Sequence, residues 1–358
     1  METTRTFPLN AWYAAAWSHE VGRREPLARG VCNQRIVLWR QSSGVPVALA
    51  DACWHRILPL SLGSIDGDDI VCRYHGLAFN GKGRCTRIPS QDQVNPTAAV
   101  RTYPVLERHR FIWVWPGDAA KADSTLVPDM HWNDDPLWAG DGETMFAKCD
   151  YRLFVDNLMD LTHETFVHAT SIGNPKVAET PLVTTHSGRT VTATRWMFDI
   201  DAPPFWRTQL GKEGNVDRWQ IIHFEAPCTI VLDVGVVPAG TGVKDGDRSQ
   251  GVNGRVLNTI TPETDKSCLY FWSLVRSYRI HDQSLTTQLR AANARIFTED
   301  QIVVEAQQLV LDAAPERRLQ VLKIDAGSAR ARRIIEEMIA QEVQRSTPQH
   351  QPAESRVL

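Results

Sequence analysis

The run Cys53-Trp54-His55, followed after sixteen residues by Cys72-Arg73-Tyr74-His75, constrains this chain more than any other feature. Thiolate and imidazole side chains so closely spaced are metal ligands, and two paired loops can bring all four to one point. A structural zinc of the Cys₂His₂ type is one reading. Against it, zinc motifs group their cysteines in a pair, whereas each loop here supplies one Cys and one His. That mixed arrangement suits a [2Fe–2S] centre in which one iron takes both thiolates and the other both imidazoles. Gly63 and Gly76 in the same loops would let backbone N–H groups approach the sulfurs.

The rest of the chain sets the frame for such a centre. At 358 residues there is room for about two domains. With 39 basic against 42 acidic residues, charge gives no case for nucleic acid or an anionic membrane as partner. No apolar run reaches the length of a membrane span. The aromatic-rich segment Phe7 to Trp17 is broken by Asn10 and reads as core, not as a secretory signal. Cys32, Cys85, Cys149, Cys228 and Cys268 are scattered without a disulfide framework, which predicts a reducing, cytoplasmic setting.

From Arg35 to Val114 the texture is short strands and turns: β-rich runs such as Arg35–Trp39, Val45–Leu49 and Phe111–Trp115 alternate with turn signals at Asp66-Gly67-Asp68 and Gly81-Lys82-Gly83. The polar stretch Ala119 to Ser124 marks a domain boundary, so residues 1–118 and 119–345 are expected as two domains, with a disordered tail over 346–358. The second part mixes helix (Asp150–His168, Ser284–Leu311, Ser328–Gln344) with strands near Val191–Arg195, Thr229–Val237 and Leu269–Leu274. The glycine-rich segment Gly240 to Gly254 reads as an exposed loop or lid.

A second constellation lies in that part. Asp156, Asp160 and His163 fall on one face of a helix, and His168 needs a kink or helix end near Thr165 to turn toward the same point. His163-Glu164 with His168 misses the H-E-x-x-H zincin pattern by one residue. Asp300, spaced with Ile296 and Val303, puts an acid on an apolar helix face, where an unpaired charge is costly. Taken singly, the histidines read as core residues and Thr298–Gln301 as a capping box. Together, two His and one carboxylate form the facial triad of oxygen-activating non-haem iron, to which a one-electron cluster is a coherent complement.

The paired loops, with Pro59-Leu60-Ser61-Leu62-Gly63 and Gly76-Leu77 flanking them, resemble those of Rieske oxygenases. Trp54 stands where those proteins commonly have Pro. The segment Asp156 to His168 is similar to the iron-site segment of Rieske non-haem oxygenase α-subunits, and Ala202–Arg207, Thr261–Asp265 and Ile324–Gly327 resemble the demethylases among them. The resemblance implies an α+β fold: an antiparallel β Rieske domain followed by an antiparallel sheet with helices that hold the iron. It makes Cys53, His55, Cys72 and His75 ligands of the [2Fe–2S] cluster, and His163, His168 and Asp300 ligands of a mononuclear Fe(II). It implies that Asn157 lines the iron site and that Asp160 bridges His163 to His75 of a neighbouring subunit in a homotrimer. The implied reaction is demethylation of a methoxy-aromatic acid with O₂ and NADH-derived electrons. Because no G-x-G-x-x-G opens a helix, those electrons need a separate flavin and iron–sulfur reductase. Ring cis-dihydroxylation uses the same metals and is the nearer rival. Trp196, Phe198, Trp206, Asn258 and Trp272 are the candidate pocket residues.

Overall fold

The computed structural model describes residues 6–243 and 246–346; the expected tail from residue 347 onward lies outside them. Ten short strands make up the amino-terminal part: β1 (Tyr13–Trp17), β2 (Leu27–Val31), β3 (Gln34–Arg40), β4 (Pro46–Ala50), β5 (Ser64–Asp66), β6 (Asp69–Val71), β7 (Ala78–Phe79), β8 (Cys85–Arg87), β9 (Val105–Arg108) and β10 (Phe111–Val114). They form three small antiparallel sheets in the orders β1-β10-β9, β2-β3-β4 and β5-β6-β7-β8. Val37, Trp39, Leu49, Ile70 and Phe79 close a separate core beneath the two Cys-His loops, and Cys53 and Cys72 are part of it.

The remainder is built on one seven-stranded antiparallel sheet, in the order β11 (Ala139–Ala147), β17 (Ser267–Arg276), β16 (Val252–Thr264), β15 (Thr229–Pro238), β14 (Val216–Glu225), β13 (Thr190–Ile200) and β12 (Val183–Ser187). Side chains alternate across its faces, as strand geometry requires. Tyr270, Trp272 and Leu274 face the main core with α1 (Tyr151–Met159), α5 (Gln283–Ala313) and α6 (Ala326–Ser346). Phe271 and Val275, on the other face, pack against Trp17, Phe111 and Trp113 of the amino-terminal sheet. The large sheet is therefore a shared wall, apolar on both sides. Two further ties cross the molecule: Thr261 Oγ1 donates to the Ala14 carbonyl at 2.7 Å, and the Glu342 carboxylate of α6 accepts the N–H groups of Leu9 and Asn10 at 2.9 and 2.8 Å.

Several expectations are corrected by this architecture. The helix expected over Asp150–His168 stops at Met159, and Asp160 is extended at φ −129°, ψ 101°. A single 3-10 turn (Leu161–His163) and the short α2 (Glu164–Val167) follow, so the chain turns first at Asp160, and the helix end expected near Thr165 comes at Val167, just before His168; α3 (Pro175–Glu179) and α4 (Pro204–Leu210) come next. There is no helix start at Thr298, because α5 runs through it from an N-cap at Asp282 whose carboxylate accepts the Leu285 N–H. Val303 is largely exposed, and Val304 instead shares the buried face with Ile296 and Asp300. The glycine-rich segment is shorter than expected, since β16 begins at Val252 and Val243 packs with Trp219 and Val237.

Candidate active site

The two Cys-His loops are copies of one backbone design. Cys53 N–H donates to the Leu58 carbonyl at 2.8 Å while Ile57 N–H returns to Cys53 O at 2.9 Å; in the second loop Cys72 pairs with Leu77 and Gly76 at 2.8 and 3.0 Å. The fifth position of each loop has positive φ, 58° at Ile57 and 71° at Gly76. Glycine suits that conformation and a β-branched residue does not, so the first loop carries backbone strain that the second avoids. Gly63 has another cause than expected. A Cβ there would lie 2.0 Å from the Val71 carbonyl, so it is required by packing against β6.

Both thiols of the loops are buried and both imidazoles exposed, with the His55 and His75 rings 4.6 Å apart. Burial pushes the Cys53 thiol up to about 11, opposed by the N–H groups of His55 and Arg56, while the Cys72 thiol adds to the rise. Adjoining thiols on the inside, adjoining imidazoles at the surface and backbone donors aimed at sulfur fit a [2Fe–2S] group with unlike irons.

The second site forms where the chain turns out of α1. His163 Nδ1 donates to the Asp160 carbonyl at 2.6 Å, and His168 Nδ1 donates to Glu299 Oε2 at 2.6 Å. Each ring is thereby fixed with Nε2 toward Asp300, whose Oδ1 lies 3.4 Å from His163 and 3.1 Å from His168. Two ligands about 2.1 Å from one divalent ion, at right angles, stand about 3.0 Å apart. All three ligand atoms lie within 4.8 Å of one another. Burial opposes charge on the His168 imidazole, but Asp300 and Glu299 outweigh it and hold its pKa up at about 8. This donor set fits a 2-His-1-carboxylate metal site with open positions.

Asn157 Nδ2 donates to Asp300 Oδ1 at 3.0 Å. The Asp160 carboxylate accepts the Thr162 N–H at 2.8 Å and meets His163 only through the main chain. Asp156 turns away to a bidentate pair with Arg332.

Above the triad opens a cavity of about 620 Å³, counting its mouth, walled by Leu232, Val234, Val256 and Leu274 of the sheet and by Phe205, Trp206 and Phe297. Its remaining polar lining is Glu164, Arg218 and Asn293. Residues 11–104 match the Rieske [2Fe-2S] domain family, and residues 147–341 match the vanillate O-demethylase oxygenase C-terminal domain family. The chain belongs to the vanillate O-demethylase oxygenase family.

Known oxygenases resemble the chain over nearly its full length. The vanillate O-demethylase oxygenase subunit of Pseudomonas sp. (strain HR199 / DSM 7063) is 43% identical over 341 residues, covering 94% of this chain and 96% of its own. The dicamba O-demethylase oxygenase component of Stenotrophomonas maltophilia is 33% identical, covering 93% and 98%. The crystal structure of dicamba monooxygenase bound to 3,6-dichlorosalicylic acid superposes with a TM-score of 0.90 at 33% identity, over 94% of this chain and 99% of that one. The protein is thus an oxygenase of the Rieske non-haem iron type.

Of the five candidate pocket residues, only Trp206 lines the cavity of this oxygenase. Asn258 is locked to Tyr270 and the Ile230 carbonyl, Trp272 packs on Phe297, Trp196 lies by Trp219 and Arg248, and Phe198 is half exposed. Glu164, Arg218, Asn293 and Glu299 escaped the sequence reading, although His163-Glu164 was in view. Two of these pairings lie far along the chain, 54 residues apart for Glu164 and Arg218 and 131 for Glu299 and His168, so no local pattern shows them. No helix among the described residues is long and apolar enough to cross a membrane.

Proposed function

We propose that this oxygenase O-demethylates a methoxy-aromatic acid, with vanillate as first substrate, giving protocatechuate and formaldehyde. The observation that carries the reading is an apolar, aromatic-walled cavity closed at one end by His163, His168 and Asp300. A pocket of this kind takes a flat ring and fixes it by a few polar groups. The balance is one methoxy-arene, one O₂, two electrons and two protons going to one phenol, one formaldehyde and one water. Bound at the two sites, the mononuclear iron would supply O₂ activation and the [2Fe–2S] cluster single-electron delivery.

The chain's own contribution is placement. Asp160 and Glu299 hold the two imidazoles by Nδ1, and Asn157 steadies Asp300. The sheet residues and Phe205 exclude water and keep the methyl group near the triad. The hydroxylated methyl is a hemiacetal that releases formaldehyde without further catalysis. Electrons come from NADH through a separate flavin and iron–sulfur reductase. His55 and His75, exposed beside Trp54, Ile57 and Tyr74, are the surface offered to the neighbouring subunit of a homotrimer, where Asp160 bridges to the partner.

Incubation with NADH, such a reductase, O₂ and vanillate tests this. Formaldehyde and protocatechuate in one-to-one yield are expected. A cis-diol without formaldehyde would refute demethylation, and turnover confined to another methyl-bearing aromatic would retire vanillate alone.

A further inference from the structure

Three polar side chains line the cavity beside the triad without touching its ligand atoms. Glu164, Arg218 and Asn293 are 5%, 2% and 7% exposed. Glu164 Oε2 accepts from Arg218 Nη2 at 2.8 Å and from Gln220 Nε2 at 2.9 Å; among the described residues, no donor reaches Oε1. Arg218 Nη1 donates to the Ile172 carbonyl at 3.0 Å. Arg218 Nε and Asn293 Nδ2 are buried with no partner at all. Buried polar groups are almost always paired. One unmatched acceptor and two unmatched donors around a single apolar cavity therefore outline what should enter it: a ligand with one O–H to give and further oxygens to accept.

Their places along the cavity separate the two tasks. Glu164 directly follows His163, so it stands at the metal end. Asn293 precedes Asp300 on α5 by seven residues, about 10 Å of helix rise, so it stands toward the other end. When a methoxy carbon is held at the triad, a hydroxyl on the adjacent ring carbon lies beside the ether oxygen. A carboxylate para to that hydroxyl lies across the ring.

We infer, resting on the demethylase reading above, that Glu164 is a specificity-determining residue that accepts a hydrogen bond from a ring hydroxyl ortho to the reacting methoxy group. Arg218 and Gln220 are positioning residues: both bind Oε2 and leave Oε1 for the ligand. Asn293 Nδ2 takes the carboxylate at the far end. The site thus selects hydroxy-methoxybenzoates over methoxybenzoates that lack the hydroxyl. A site built to pair a hydroxyl rejects the analogue without one, because its own buried group is then left unmatched.

The test compares kcat and KM for vanillate and 3-methoxybenzoate in the wild type and in Glu164→Gln, with melting temperature and both metal contents as controls. The wild type should favour vanillate by about tenfold or more. The variant should lose that margin through vanillate alone, keeping 3-methoxybenzoate within about twofold. No preference in the wild type, or an equal loss on both substrates, overturns the inference. If neither compound releases formaldehyde, the demethylase reading fails separately, and the inference is decided by quenching of tryptophan emission in the holoenzyme. There 4-hydroxybenzoate should bind more tightly than benzoate in the wild type and equally in Glu164→Gln; any other pattern overturns it. Asn293→Leu leaves the Glu164 network intact and should erode the preference for vanillate over vanillyl alcohol while sparing the hydroxyl preference. Loss of both preferences, or of neither, overturns the two-ended placement.

Discussion

His163 and His168 share one device, a partner on Nδ1 that leaves Nε2 free for metal, but the partners differ in strength. His163 donates its Nδ1–H to a backbone carbonyl, whereas His168 donates its own to the Glu299 carboxylate. A carboxylate raises the basicity of the ligating nitrogen more than a carbonyl does. Glu299→Gln should therefore weaken iron binding about 10–100-fold while leaving the cluster's absorption unchanged; iron per chain after dialysis, read against that absorption, checks it. The same residue marks a limit of reading by pattern. Glu299 follows Thr298 and precedes Asp300, which is the wording of a helix start. Only the partner 131 residues earlier reveals it as a support for His168.

At the scale of elements, α5 brings Asp300 to the candidate site by face. Leu289, Asn293, Ile296, Phe297, Asp300 and Val304 recur at helical spacing and are all buried, while Ile302 and Val303 face out. Val304→Asp should lower stability by roughly 2–5 kcal/mol, because it buries an unpaired charge, and Val303→Asp should stay within about 0.5 kcal/mol. Thermal melting of the pair compares them directly. The helix itself was legible from its apolar period, and so were the two Cys-His loops, because ligand spacing survives in a linear text. The turn at Asp160 was less so. Its cause is a local competition: the Asp160 carboxylate caps the Thr162 N–H, starting a new turn where the old helix would have continued. Strand positions were readable and their order was not, since the neighbours of β17 are β11 and β16, one of them more than a hundred residues away.

For the molecule as a whole, the Cys-His loops form a tip with exposed imidazoles, Trp54, Ile57 and Tyr74, while the triad lies under the large sheet. If Asp160 couples one subunit's iron site to the next subunit's tip, Asp160→Asn should keep cluster colour and most iron yet lower turnover about 10–100-fold. Near-wild-type turnover with both metals present would remove that role. Light scattering should report a trimer in both forms. The grip of Glu342 on Leu9 and Asn10 reaches further, into how the protein is made. Leu9 and Asn10 leave the ribosome long before residue 342 exists, so their backbone amides stay open to water while the intervening chain is made. Hydrogen exchange at those two amides should slow only once α6 has docked, and in Glu342→Ala it should stay fast. Leu9 and Asn10 are made early and secured late.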